Sequence, residues 1–142
     1  MHVNSRLSLF AGLGFETERA NMKPIIICGH YGCGKTNYSI HLAGQLNQQG
    51  VKTALVDLDV VNPYFRSSDY GNIASLRGVK VIVPTSAGTT IDAPCLPPEI
   101  FSVFDGDYGA AVFDVGGDDA GATALGQFAA RICEQPYEMI YV

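Results

Sequence analysis

Short apolar runs recur along the chain and are separated by polar segments long enough to form helices. The runs cover residues 25–28, 53–58, 79–83, 110–115 and 137–142. Continuous apolar runs rich in β-branched residues are typical of strands that are buried on both faces, as in parallel sheets. The pattern therefore predicts five buried strands.

The segments between these runs carry the helical signal. The clearest helix is predicted over residues 36–49, because Ile40, Ala43 and Leu46 recur at three- and four-residue steps and Gly50 follows as a C-terminal stop. Further helices are predicted near residues 69–77, 97–104 and 120–133. Strands that alternate with helices form βαβ units, so we expect an α/β fold with a three-layer, mostly parallel sheet and helices on both faces.

The length of 142 residues suits one compact domain with a hydrophobic core. Residues 1–21 show no clear periodicity and precede a second methionine, Met22, so they are predicted to be a poorly ordered N-terminal extension. The domain itself is expected over residues 22–142. Because the last strand-like run stops at Val142, the chain is predicted to be a fragment truncated at its C-terminus.

Composition places the chain among soluble globular proteins, since 47% of its residues are hydrophobic and 16% are charged. No stretch approaches the roughly 18 consecutive apolar residues that a membrane span needs. The net charge of −5 gives no strong signal for nucleic-acid binding, which depends on clustered Lys and Arg. The four cysteines lack the spacing of zinc ligands, so free thiols in the cytoplasm are expected.

The strongest chemical signal lies between the first strand and the first helix. It matches the phosphate-binding loop pattern G-x-x-x-x-G-K-[ST] and consists of Gly29, His30, Tyr31, Gly32, Cys33, Gly34, Lys35 and Thr36. Glycines let the backbone turn tightly and aim N–H groups at phosphate oxygens, and the helix adds the positive end of its dipole. Lys35 is expected to reach the terminal phosphates, and the Thr36 hydroxyl is expected to bind Mg²⁺.

Two further segments place carboxylates at the ends of predicted strands. Asp57 and Asp59 are two positions apart at the end of the second strand, so both can face its carboxyl edge. Alone, this pair would more readily be read as solvated loop acids, with Asp57 capping a turn. Beside a phosphate-binding loop, a role in binding Mg²⁺ is favoured. Asp114 ends another apolar strand, and Gly117 follows where its N–H could contact a γ-phosphate.

Together these segments resemble the SIMIBI class of P-loop NTPases, and in particular the CobQ/CobB/MinD/ParA-type nucleotide-binding domains, over about residues 23–142. The resemblance implies that Asp59 positions the attacking water and that Asp57 supports the metal. It also implies that Asp114 is the Walker B acid and that Gly117 senses the γ-phosphate. Arg66 could stabilise transferred charge, although a surface or structural role is favoured for it.

One position departs from this resemblance. Many ParA and MinD relatives carry a lysine where this chain has His30, and that lysine reaches across a dimer that encloses ATP. An imidazole is shorter and mostly neutral at pH 7, so it replaces this charge poorly. A homodimer is left open, but the sequence argues against one built around the nucleotide.

The leading hypothesis is an enzyme that binds and hydrolyses a nucleoside triphosphate with Mg²⁺. ATP is the expected substrate, and GTP is not excluded. One alternative is an ATP-dependent kinase or CobQ/CobB-like synthetase acting on a small metabolite, with an acceptor pocket in the loop of residues 84–98. Another is a non-catalytic regulatory or metal-insertion partner protein that binds nucleotide.

Overall fold

The computed structural model describes residues 22–59, 72–84 and 96–142. Its strands and helices, in chain order, are β1 (Lys23–Cys28), α1 (Lys35–Gln48), β2 (Thr53–Leu58), β3 (Lys80–Ile82), α2 (Glu99–Asp105), β4 (Ala110–Val115), α3 (Asp119–Gly126), α4 (Ala129–Cys133) and β5 (Glu138–Tyr141). A short 3-10 turn, Ala74–Leu76, precedes β3. The predicted extension at residues 1–21 lies outside the described residues.

The five strands form one sheet in the order β3-β2-β4-β1-β5, and every pair of neighbours is parallel. The predicted α/β fold is thereby confirmed. Strand β4 lies at the centre, where Asp114 is in register with Ile27 of β1 on one side and with Asp57 of β2 on the other. Because parallel strands end at the same edge, the residues that follow β1, β2 and β4 must lie close together.

Apolar side chains pack on both faces of the sheet. On one face, Ile40, Ala43 and Leu46 of α1 pack against Leu55 and other sheet residues. On the opposite face, the core contains buried residues from α2, α3, α4 and the turn between α3 and α4: Ile100, Val103, Ala124, Phe128 and Ile132. The sheet is therefore the middle of three layers, as the sequence predicts.

The helices that connect the strands pack on opposite faces of the sheet. Helix α1 links β1 to β2 on one face, whereas α3 and α4 link β4 to β5 on the other. The chain thus leaves the neighbouring strands β1 and β4 toward opposite faces. Such a point opens a crevice at the carboxyl edge, which is where open α/β sheets bind their ligands.

Most predicted elements differ from the observed ones by one or two residues at their ends, and β2 and β4 match their predicted ranges. The single helix predicted over residues 120–133 is wrong. The helix ends at Gly126, and the N–H groups of Gln127 and Phe128 bond three residues back instead of four. This tighter turn brings Phe128 into the core, where it packs against Phe101 and Phe104.

The helix predicted near residues 69–77 is also wrong within the part that the structure describes. Only the 3-10 turn is helical there, and it is closed by Gly78, whose φ of 85° continues no helix. The Asn47 side chain of α1 donates to the Arg77 carbonyl at 2.9 Å and fixes this turn. None of the helices in the described ranges is long and apolar enough to cross a membrane.

The end of β4 and the start of α3 approach so closely that only glycine fits between them. A Cβ on Gly121 would lie 2.4 Å from the Gly116 carbonyl oxygen and 2.6 Å from its Cα. We expect Gly121→Ala to lower the free energy of unfolding by about 1 to 3 kcal/mol, because the backbone must shift to relieve this overlap. Urea unfolding measures the change.

Gly126→Ala in the same helix is the matched control, since a Cβ there would meet no atom within 4 Å. Its stability should equal or slightly exceed that of the parent, because alanine favours helix more than glycine does. Equal effects of the two substitutions would contradict the close contact between α3 and β4.

Candidate functional site

The three motifs singled out from the sequence meet at the carboxyl edge of the sheet. The glycine loop follows β1, Asp59 follows β2, and Gly116 and Gly117 follow β4. Since β4 lies between β1 and β2, its C-terminal end is flanked by the other two. The crevice between β1 and β4 is therefore lined by the residues that the sequence identifies as candidates.

The glycine loop turns tightly and ends at the start of α1. Gly32 and Gly34 have φ values of 76° and 93°, in the left-handed region that glycine adopts without strain. Gly34 is the N-cap of α1, and no side chain caps this helix start. The N–H groups of the first turn therefore point into the crevice with the positive end of the helix dipole.

The Lys35 side chain folds back over this loop. It is 7% exposed, and its ammonium donates to the His30 carbonyl at 2.7 Å. The Cys33 N–H donates to the same carbonyl at 3.4 Å. The loop thus holds a buried positive charge beside the start of the helix, where an anion would enter.

Asp114 is the most buried acid of the site, with 2% of its surface exposed. Burial raises its pKa, and the negative charge of Asp59 acts in the same direction. Hydrogen bonds from the Thr36 and Ser39 hydroxyls and the charge of Lys35 oppose this shift. The Asp114 Oδ1 atom is buried without a hydrogen-bond partner, which is unusual for a carboxylate in a protein core.

Asp57 of β2 and Asp59, which follows the strand, are linked by a hydrogen bond. Asp57 is 6% exposed, and its Oδ1 accepts a hydrogen bond from the Asp59 backbone N–H at 2.8 Å. This contact is of the turn-capping kind that the sequence left open. Asp57 therefore helps to fix the backbone of Asp59 at the edge of the sheet, next to Asp114.

The turn after β4 lies against the glycine loop. A Cβ on Gly117 would be 2.7 Å from the Tyr31 nitrogen and 3.0 Å from the Gly29 carbonyl oxygen. The Asp118 side chain then caps α3 by accepting from the Gly121 N–H at 2.9 Å, as capping residues do. The structure thus brings Gly117 against the backbone of the glycine loop.

His30, the loop residue that stands where many relatives have a lysine, contacts another part of its own chain. The His30 ring lies edge to face with Tyr141 of β5, with ring centroids 6.1 Å apart and planes at 87°. Tyr31, the next loop residue, is 78% exposed. The His30 imidazole is thus engaged by the edge strand of the same sheet.

Sequence reasoning missed one residue of this site, Ser39. Its side chain is 1% exposed, its hydroxyl donates to the Lys35 carbonyl at 2.9 Å, and it is one of the groups that oppose the rise in the pKa of Asp114. A signal was present, because Ser39 follows Lys35 by four residues and so lies on the same face of α1. A polar residue on the buried face of a helix that starts at a phosphate-binding loop is a candidate for the site.

Other candidates from the sequence lie beyond what the structure describes. Arg66 and most of the proposed acceptor loop at residues 84–98 lie outside the described residues. Within the described ranges, no three His, Cys, Asp or Glu side chains converge as a ready metal-binding group. Cys28, Cys33 and Cys133 are free thiols, as expected.

Comparison with known proteins adds no assignment to this geometry. Neither a scan against protein-family models nor a search of curated proteins finds a match to this chain.

The buried Asp114 carboxyl gives a test that depends on pH. Because its pKa in the folded state lies above the ordinary value of 3.8, the folded protein binds more protons than the unfolded chain between these two values. Asp114 therefore lowers the free energy of unfolding as pH rises through this window. We expect Asp114→Asn to remove this loss. The free energy of unfolding of the parent should therefore fall relative to that of the variant as pH rises from about 4. Chemical unfolding without nucleotide or Mg²⁺ measures the difference.

Asp107→Asn supplies a control of opposite sign. A hydrogen bond from Lys52 lowers the pKa of Asp107, so this acid contributes stability that is lost as pH falls. If the free energy of unfolding depends on pH in the same way for the parent and for Asp114→Asn, the raised pKa of Asp114 is contradicted.

Proposed function

We propose that this protein binds and hydrolyses a nucleoside triphosphate, with ATP as the favoured substrate and Mg²⁺ as cofactor. The observation that carries the proposal is the meeting of Lys35, Thr36 and the buried Asp114 at the crevice between β1 and β4. A glycine loop with a positive charge and a buried acid beside it suits a phosphate chain that arrives with a divalent cation.

The loop supplies what a phosphate chain needs. The N–H groups at the start of α1 have no side-chain cap, and the Lys35 ammonium lies within the loop. These groups would bind phosphate oxygens by charge-assisted hydrogen bonds, which are stronger than those between neutral groups. Gly117 lies against the loop backbone, and its N–H would donate to the terminal phosphate.

The residues around Asp114 fit a magnesium ion. The partnerless Oδ1 atom is a hard oxygen acceptor, and the Thr36 hydroxyl lies beside the same carboxyl group. A cation held by phosphate oxygens, one hydroxyl and water needs no cage of three acids, so the lack of such a group among the described residues is compatible with this fit. When bound, Mg²⁺ would neutralise charge on the phosphates.

Asp59 is the acid proposed to position the attacking water. Its backbone is fixed by Asp57, and a Cβ on Gly116 would be 3.4 Å from its Oδ1 atom. Asp59 therefore lies beside the turn that carries Gly117. In-line attack of water on the terminal phosphate needs orientation more than covalent help from the protein, and Asp59 would supply that orientation.

The same proposal includes a cytoplasmic location and a nucleotide site formed by one copy of the chain. The free thiols agree with a reducing cytoplasm, where ATP and Mg²⁺ are available. The His30 ring contacts Tyr141 of its own chain, which favours a site completed within one copy over one shared across a nucleotide-enclosing dimer.

Nucleotide binding should be visible as thermal stabilisation. At about a hundred times its dissociation constant, ATP with Mg²⁺ should stabilise the fold by about 2.7 kcal/mol, because it binds only the folded state. We expect Lys35→Ala to abolish most of this shift, since it removes the ammonium that contacts the terminal phosphates. Melting curves with ATP, GTP, ADP or no nucleotide, each with and without Mg²⁺, provide the measurement.

Lys52→Ala is the control, because Lys52 is an exposed lysine that pairs with Asp107. It should keep the full nucleotide shift. If Lys35→Ala responds to ATP as the parent does, this loop does not bind the phosphates.

Hydrolysis is tested separately from binding. We expect Asp59→Asn to reduce phosphate release by about a hundredfold or more, because positioned acid and base groups contribute on that order. The thermal shift with ATP should remain, since Asp59 orients water and does not hold the phosphates. Asp107→Asn should leave phosphate release unchanged, and an equal rate in Asp59→Asn would remove this acid from the mechanism.

A further inference from the structure

The C-terminal end of β5 touches the start of the glycine loop at three points. The Val142 N–H donates to the Cys28 carbonyl at 2.9 Å, and a Cβ on Gly29 would lie 2.5 Å from the Val142 carbonyl oxygen. One residue earlier, the Tyr141 ring lies edge to face with the His30 ring, with ring centroids 6.1 Å apart. The loop therefore begins against the end of β5 as well as between β1 and α1.

The same loop residue that meets Tyr141 also holds the Lys35 ammonium. The His30 carbonyl accepts from the Lys35 Nζ at 2.7 Å and from the Cys33 N–H at 3.4 Å. Glycines with positive φ lie on both sides of His30, at Gly29 with 151° and at Gly32 with 76°. Because glycine restricts the backbone less than any other residue, a contact from outside the loop is needed to fix the direction of this carbonyl.

Tyr141 supplies a contact of this kind. Perpendicular aromatic rings with centroids closer than about 7 Å attract each other, because the positive edge of one ring meets the negative face of the other. Tyr141 is 68% exposed, so its ring contributes little to the hydrophobic core. Its described ring contact is the one with His30, whose carbonyl is bonded to Lys35. The three residues thus form a connected series from β5 to the loop ammonium.

We propose that Tyr141 is a positioning residue that acts through His30 to hold the Lys35 ammonium where the phosphates bind. This inference rests on the proposed function and adds to it a residue of β5, far from the loop motif in sequence. Without the Tyr141 ring, the N–H groups at the start of α1 stay in place. The His30 carbonyl is then free to turn, so the ammonium spends less time at the phosphate site.

The first test compares the affinity of the parent and of Tyr141→Ala for two ligands, ATP and inorganic tripolyphosphate, each with Mg²⁺, by calorimetric titration. We expect both affinities to fall about threefold to tenfold, the worth of one aromatic pair. Tyr141→Phe keeps the ring and should keep both affinities. Tripolyphosphate carries no base, so a loss confined to ATP would mean that Tyr141 contacts the base, and the inference would be wrong.

A second measurement follows Lys35 itself, without nucleotide. The rate at which an amine-reactive reagent labels Lys35, read by mass spectrometry, reports how often its ammonium leaves the His30 carbonyl. This rate should rise about threefold to tenfold in Tyr141→Ala and stay at the parent value in Tyr141→Phe. The exposed Lys52 is the internal reference, and its rate should be the same in all variants. An unchanged Lys35 rate in Tyr141→Ala would contradict the inference.

Tyr137→Ala is the matched control. Tyr137 is also an exposed tyrosine, but it precedes β5 at the end of the strand away from the glycine loop. Its loss should change neither affinity nor the labelling of Lys35. If Tyr141→Ala does not fold, His30→Phe and His30→Ala decide, because only phenylalanine keeps a ring against Tyr141. Weaker binding in His30→Ala alone supports the inference, whereas equal affinities of these two variants contradict it.

Failure of the inference is distinguishable from failure of the proposed function. If ATP binds in a Lys35-dependent manner and Tyr141→Ala binds it as the parent does, the ring contact has no part in binding and the proposed function stands. If the parent itself shows no response to ATP, both the inference and the proposed function are wrong.

Discussion

The parallel pairing of β4 between β1 and β2 is the constraint on which the rest of the site depends. It puts Asp114 in register with Ile27 and Asp57, directly below the start of the glycine loop. Because the connections after β1 and β4 leave toward opposite faces, this central acid lies beside a crevice, next to the first turns of α1. The loop, the acid and the turn after β4 thus belong to one rigid framework.

Burying a carboxylate costs free energy unless hydrogen bonds or opposite charge compensate for it. At Asp114 this compensation is partial, because two hydroxyls and Lys35 oppose the effect of burial while one oxygen has no partner. Sites of this kind are often functional, since a bound cation can complete what the protein leaves unsatisfied. The electrostatics around Asp114 therefore support the same proposal as the geometry of the loop.

Much of this arrangement could be predicted from the sequence, because each strand is a continuous apolar run and the loop motif has fixed spacing. The ranges of β2 and β4 and the places of Asp57, Asp59 and Asp114 near strand ends followed from these apolar runs. Strand order did not, since it depends on packing between distant segments. The break at Phe128 was missed for the same reason, because it is set by a tertiary contact with Phe104.

The close contacts of the glycine loop limit how far it can be treated as a transferable cassette. A Cβ on Gly29 would lie 2.5 Å from the Val142 carbonyl oxygen, and Gly117 allows no side chain against the loop from the other side. The loop is therefore shaped by two backbone segments that are distant from it in sequence. Grafting residues 29–36 into another scaffold would carry over the letters of the motif but not its conformation, unless both flanking segments were transplanted with it.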